Sequence, residues 1–145
     1  MATLRQKVSK LIRNAKACTL VTVNSKGEPR CRLMGNLAKG VARTFHLVTY
    51  VKSNKVKEIA GNPRVDLFYV GGESSYACVV GRARLRCDRA TRERLWKKEW
   101  RRYFPGGKAD QNYGVIEIRA SRIEYFDNAI GKLETLDARA RRHSA

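Results

Sequence analysis

Between residues 17 and 127 the chain is a succession of short β-forming runs, and this rhythm limits its fold more than any other feature. ACTLVTV is followed by the turn NSKG, where Gly27 supplies a backbone angle that other residues avoid. PRCRLMGNL reads as the partner strand of that hairpin, LAKGV as a second turn region, and ARTFHLVT as a third strand. RVDLFYV is a fourth strand and GGES a turn. YACVVGRARLRC is a long fifth strand, whose alternation after Gly81 sends arginines to one face and Ala83, Leu85 and Cys87 to the other. YGVIEIRA and RIEYFD close the series. Helical patterning is confined to three places: the N-terminus, VKEIAGN ahead of Pro63, and a stretch from about Asp88 that carries WKKEWRRYF. Six or seven strands against two or three helices predict a mainly β chain, a small barrel with flanking helices rather than a parallel sheet. No G-x-G-x-x-G fingerprint and no Walker loop interrupts the pattern.

With 145 residues, 43% of them hydrophobic, the chain can bury one core. The expected organisation is one domain over residues 1–128, N-terminal helix included, and a loosely held basic tail over residues 129–145. The first twenty residues are basic and acid-free, which superficially suggests a transit peptide. Leu4, Val8, Leu11 and Ile12 instead share one helical face, the mark of a helix packed on the domain. No apolar run is long enough to span a bilayer. Cys18, Cys31, Cys78 and Cys87 form no C-x-x-C pair, so free and mostly buried thiols in a reducing cytoplasm are expected. His46 and His143 have no metal-ligand spacing to each other or to the cysteines, so no metal site is expected.

The net charge is +18, with ten Arg or Lys against three acids between Arg82 and Arg102. Such a charge raises affinity for polyanions and says nothing about fold. Trp96, Trp100, Tyr103 and Phe104 lie beside this run. Two readings are open: a nucleic-acid surface with aromatics among its cations, or aromatics closing a core beneath a solvated basic helix.

FHLVTYVKSNKVKEIAGNPRV, residues 45–65, carries the chemistry. An apolar strand ends at Thr49, and a helix opens at Ser53 with Lys55 in its first turn. Unpaired N–H groups and the positive end of the dipole favour an anion at a helix start. Ser53 suits an N-cap, and its hydroxyl can serve either the helix or a ligand oxygen. On this segment alone, a phosphate site and an ordinary capped helix with solvated lysines both remain open.

The order of ACTLVTVNSKGEPRCRLM, FHLVTYVKSNKVKEIAGNPRVDLFYV and YACVVGRARL resembles the FMN-binding split barrels related to pyridoxamine 5'-phosphate oxidase. FPGGKADQNYGVIEI and RIEYFD resemble the general stress protein branch more narrowly. The likeness spans roughly residues 5–127. It implies a six-stranded antiparallel split barrel and a homodimer with two FMN molecules at the subunit interface. It further implies that Arg32, Leu33 and Met34 run along the flavin, with Val48 beside them. Thr49, Ser53, Asn54 and Lys55 would grip the phosphate, and Tyr76 would stand near the ring. Asn54 departs from the family, which often has arginine there. A lost guanidinium weakens phosphate binding by about 1.5–3 kcal/mol, which Lys52 could offset. Gln111 stands where that branch commonly has proline, implying only a local loop change.

The resemblance implies a flavin-dependent oxidoreductase or a flavin-carrying stress protein, with whether it turns over, its substrate and its electron donor left open. The later substrate-binding segment of true pyridoxamine-phosphate oxidation has no counterpart here. A nucleic-acid or polyanion module through the basic surface is one rival. A haem-binding split barrel, with His46 or His143 as axial ligand, is another.

Overall fold

The computed structural model describes residues 1–139. Seven strands form one antiparallel sheet: β1 Ala17–Val23, β2 Pro29–Gly35, β3 Thr44–Tyr50, β4 Arg64–Val70, β5 Tyr76–Arg86, β6 Tyr113–Asp127 and β7 Lys132–Asp137. Six of them follow the order β2-β1-β4-β5-β6-β3, and β7 joins β6 off this path. The end strands β2 and β3 come close without pairing, so the six strands curl into a half-barrel that stays split along one seam. Three helices flank it: α1 Leu4–Asn14, α2 Asn54–Gly61 and α3 Arg89–Leu95. The split-barrel expectation therefore holds.

Period-2 alternation aims one face of each strand inward. Leu20, Leu47, Leu67, Val79, Ile116, Ile118 and Ile123 are almost fully buried, and α1 adds Val8 and Ile12. A capping box between Thr3 and Gln6 starts α1, and Leu4 and Leu11 pack against the same core. This helix is part of the domain, as its apolar face predicted.

The aromatic run settles in a second cluster. Phe104, Tyr113 and Val115 are buried there, and Val48, Leu95, Trp96 and Trp100 pack against them. The closed-core reading thus holds for three of the four aromatics, while Tyr103 stays exposed. Helix α3 stops at Leu95, and Lys98–Arg102 continue only as a 3-10 turn, which lets both tryptophans face inward.

The closing strands depart from expectation. The two runs read from sequence are one fifteen-residue strand, β6. Its register against β5 shifts beside Gly81, where Val80 pairs with Arg122 and Gly81 with Ala120. Ser121 is the extra residue of this bulge, and its hydroxyl donates to the Val80 carbonyl at 3.0 Å. A Cβ on Gly81 would lie 2.4 Å from the Arg119 carbonyl oxygen, so only glycine fits there. The segment after Ala129 is not a loose tail throughout, since Lys132–Asp137 form β7 on β6. Only Leu136 packs on the core, while Leu133 is exposed and the neighbours are charged, so no apolar face stands out in the sequence. The remaining tail residues, including His143, lie outside the described residues.

All four cysteines are free, but only Cys18 is buried, Cys78 is half-buried, and Cys31 and Cys87 are exposed. Burial pushes the Cys18 thiol up to about 11 and the Cys78 thiol up to about 12.

Candidate functional site

The seam between β2 and β3 is where chemically capable residues converge. Strand β3 delivers Thr49, which is buried at 4% exposure, on the inner face. Its hydroxyl donates to the Tyr50 carbonyl at 3.0 Å and lies 3.2 Å from the Ser53 Oγ. Ser53 occupies the N-cap position of α2 with extended backbone angles, yet its side chain makes no capping bond. The opening N–H groups of α2 therefore keep their positive ends free of a side-chain acceptor. Nor does an acid stand in the first turn of α2.

Two cations border this opening. Lys55, in the first turn, has its ammonium pKa lowered, first by burial and then by the charge of Arg32. Desolvation and a like-charged neighbour both disfavour the protonated amine, and the charge of a bound anion would oppose them. Arg32 reaches the site from β2, opposite Leu20 on β1.

Sequence reasoning missed what holds that arginine. Its guanidinium donates to Glu58 Oε1 on α2 at 2.7 Å and to Thr22 Oγ1 on β1 at 2.7 Å. The fully buried Thr22 hydroxyl in turn donates to the same Glu58 oxygen at 2.7 Å. This closed triangle ties β1, β2 and α2 together. The Thr22 hydrogen bond, ahead of the Arg32 contacts, holds the Glu58 carboxyl below its ordinary range. Glu58 is the only acid between Thr44 and Arg64, the one signal in the sequence that could have flagged it.

Leu33 lies on the edge strand β2 with 77% of its surface exposed, while Met34 is buried. Because β2 pairs only with β1, the backbone groups along its other edge have no ladder partner. Asn54 is exposed at the first position of α2. The side chain of Val48 packs on the second aromatic cluster, leaving only its backbone toward the seam. Tyr76 is not brought to this place within one chain. It pairs with Phe126 on β6 whereas Thr49 pairs with Gly114, a separation of about 40 Å along that strand. Its ring stacks between Phe68 and Phe126 on the outer face, with centroids 5.0 and 5.5 Å away.

His46 lies three residues from Thr49 on β3, so the two side chains point to opposite faces. Its Nε2 is buried, lacks a hydrogen-bond partner, and sits 3.5 Å from Glu117 Oε2. Burial and the nearby Arg94 lower its pKa, so the ring is held neutral. Much of the basic run from Arg82 to Arg102 is engaged internally. Arg84 and Arg86 hold Glu117, Arg86 also holds Asp88, and Arg89 pairs with Glu93. With Trp96 and Trp100 turned inward, this run offers no paired tryptophan platform for bases.

Residues 4–142 match the family described as pyridoxamine 5'-phosphate oxidase like. The chain belongs to that family. Among pyridoxamine 5'-phosphate oxidase-like proteins it sits with the general stress branch. General stress protein 26 of Bacillus subtilis (strain 168) is 29% identical to it over 128 residues, which cover 86% of this chain and 89% of that protein. A Clostridium acetobutylicum protein related to general stress protein 26 has a similar solved structure, with TM-score 0.79 and 24% identity. That match covers 90% of this chain and 92% of the other. A heme binding protein from Mycobacterium smegmatis shares the fold at TM-score 0.66 and 14% identity, over 95% of this chain and 59% of its own.

Proposed function

We propose that this pyridoxamine 5'-phosphate oxidase-like chain binds FMN at the seam between β2 and β3. It would act as a homodimer, as a flavin-dependent oxidoreductase or flavin-carrying stress protein of the cytoplasm. The observation that carries this reading is the start of α2. Ser53 stands at the N-cap without capping, its hydroxyl lies 3.2 Å from that of Thr49, and the charge of Arg32 acts on Lys55 in the first turn. A terminal phosphate would give the uncapped N–H groups an acceptor and Lys55 a counter-charge.

In this reading Ser53, the α2 N–H groups and Lys55 hold the phosphate. The Thr22–Glu58 pair keeps Arg32 from swinging away, leaving its remaining N–H groups for the ligand. The unladdered edge of β2 at Leu33 and Met34 offers alternating donors and acceptors to a flat ring system. FMN, when bound, supplies hydride or single-electron transfer at its ring, while the protein sets position and polarity.

The outer face of the sheet supports the dimer in this reading. Leu33, Thr19, Phe68 and Cys78 are successive cross-strand neighbours, and so are Val70, Tyr76, Phe126 and Leu133. Leu33, Val70 and Leu133 are 77%, 61% and 58% exposed, a patch that a second copy would cover. A second copy would also resolve the distant position of Tyr76, since Tyr76 of the partner subunit could approach the first copy's seam. Haem finds less support, because His46 faces away from the seam and is closed in against Glu117. No described helix is long and apolar enough to cross a membrane.

The test is an absorption spectrum of the purified protein, with mass identification of whatever denaturation releases. Flavin bands, or their appearance on titration with FMN, are expected together with a dimer in analytical ultracentrifugation. Colourless protein that also fails to take up added FMN refutes the reading.

A further inference from the structure

Away from the seam, the outer face of the sheet carries a second cationic feature. Arg64 on β4 pairs across the ladder with Arg82 on β5, and Arg82 pairs with Arg119 on β6. Three guanidinium-bearing residues thus stand side by side on adjacent strands, spanning roughly 10 Å at the backbone. Like charges directly opposite one another destabilise a sheet. All three are exposed, as is Arg43 just ahead of β3, and among the described residues no side-chain hydrogen bond or ion pair engages any of the four.

The bulge at Ser121 builds this feature. In a regular strand, residues 119 and 122 would point to opposite faces. The extra residue instead pairs Arg119 with Arg82 and Arg122 with Val80, and so aims both arginines to the face carrying Arg64. Gly81, which nothing larger can replace, permits the strands to approach there. The result is a cleft of about 620 Å³, rimmed by Arg43, Arg64, Arg82, Arg119, Arg122 and Arg139 and floored by Val21 and Val80. Arg122 pairs with Glu124 and Arg139 with Asp137, and among the described residues Asp66, in the next row, is the one carboxylate lining the cleft.

We propose that this cleft binds a compact polyanion, a small molecule with two or more phosphoryl groups beside an apolar body. The volume falls in the range of small-molecule sites. Guanidiniums recognise phosphoryl oxygens in bidentate fashion, and an anion laid across the row relieves the repulsion between cross-strand neighbours. The valine floor suits an apolar body. A nucleic-acid strand fits less well, because among the described residues no aromatic side chain lines the cleft to stack a base. The site is separate from the proposed flavin phosphate site, and neither Arg32 nor Lys55 lines it.

The test measures binding of inorganic tripolyphosphate and of adenosine triphosphate to the full-length chain by calorimetry at low and moderate salt. Arg82→Gln, Arg119→Gln and their double variant are compared with Lys55→Gln. The expected result is tighter binding of both probes than of inorganic monophosphate, weakened by added salt. Each arginine substitution should reduce affinity about tenfold or more, while FMN uptake stays unchanged. Three results would overturn the proposal: no preference for the polyphosphates, affinity lost in Lys55→Gln but kept in the double arginine variant, or a single-stranded oligonucleotide bound there that tripolyphosphate cannot displace. The arginines are exposed, so their loss should not unfold the chain, and a circular-dichroism melt of each variant checks this.

Discussion

Replacing Lys55 with glutamine should separate a ligand-binding lysine from a merely structural one. In the free protein its ammonium is disfavoured by burial and by Arg32, so its pKa lies below 10.5. Between that lowered pKa and 10.5 the unfolded chain holds more proton on this side chain, so stability rises with pH across the window. Below the window the charged lysine costs the fold some stability. Lys55→Gln removes that cost, so the unliganded variant should melt no lower than the parent. Binding should respond in the opposite direction. A charge-assisted hydrogen bond to phosphate contributes about 1.5–3 kcal/mol, so FMN affinity should fall roughly 10- to 150-fold. The parent should lose FMN affinity as pH rises through the lysine's titration, with proton uptake on binding there, and the variant should lack that alkaline limb. Flavin fluorescence titrations at several pH values read the affinity, and calorimetry in two buffers reads the proton. Full affinity with the alkaline limb intact would show that the phosphate does not meet Lys55.

Three further outcomes concern the Arg32–Thr22–Glu58 triangle and the bulge. Arg32→Ala leaves the Glu58 carboxylate, 16% exposed, with the Thr22 hydroxyl alone, and should cost about 1.5–3 kcal/mol in urea unfolding. Adding Glu58→Gln should recover part of that loss, and strict additivity in the double-mutant cycle would refute the triangle. Because the Glu58 pKa is lowered, its contribution is complete above about 4.5 and fades as pH drops through the folded value, so Glu58→Gln should flatten acid unfolding. Gly81→Ala would put a methyl 2.4 Å from the Arg119 carbonyl and should cost about 1–3 kcal/mol or more, with amide protection lost around the bulge. Unchanged unfolding would mean the bulge tolerates a side chain.

The parts of the fold legible in sequence are those where one local signal decides the outcome. Strands β1 to β5 and helix α1 follow from uninterrupted periodicity between clear turns. Strand β6 was misread as two because a bulge changes the parity at Ser121, so that inward Ala120 and Ile123 are three residues apart. A period-2 pattern cannot survive that shift. Strand β7 was missed because an edge strand of charged residues looks like tail, and only its pairing with β6 reveals it.

The site divides along the same line. Thr49, Ser53 and Lys55 could be grouped from the chain because they lie within seven residues across one strand-to-helix turn. Ser53's failure to cap could not be foreseen, since the choice between Thr49 and the helix N–H groups is made by side-chain rotation. The roles of Glu58 and Thr22 could not be read from the chain, because their partner, Arg32, comes from a different strand and meets them only once the sheet has curled. Tyr76 marks the boundary of what one chain can settle. Its register on β6 puts it some twelve residues from the position that Thr49 faces, so no rearrangement short of unpairing β5 from β6 would join them within one copy. If Tyr76 contacts the flavin at all, it must do so across a two-fold interface. The ring contact therefore requires the dimer: a variant such as Val70→Asp that yields monomers should also lose the Tyr76 contribution, while Lys55 still grips the phosphate weakly.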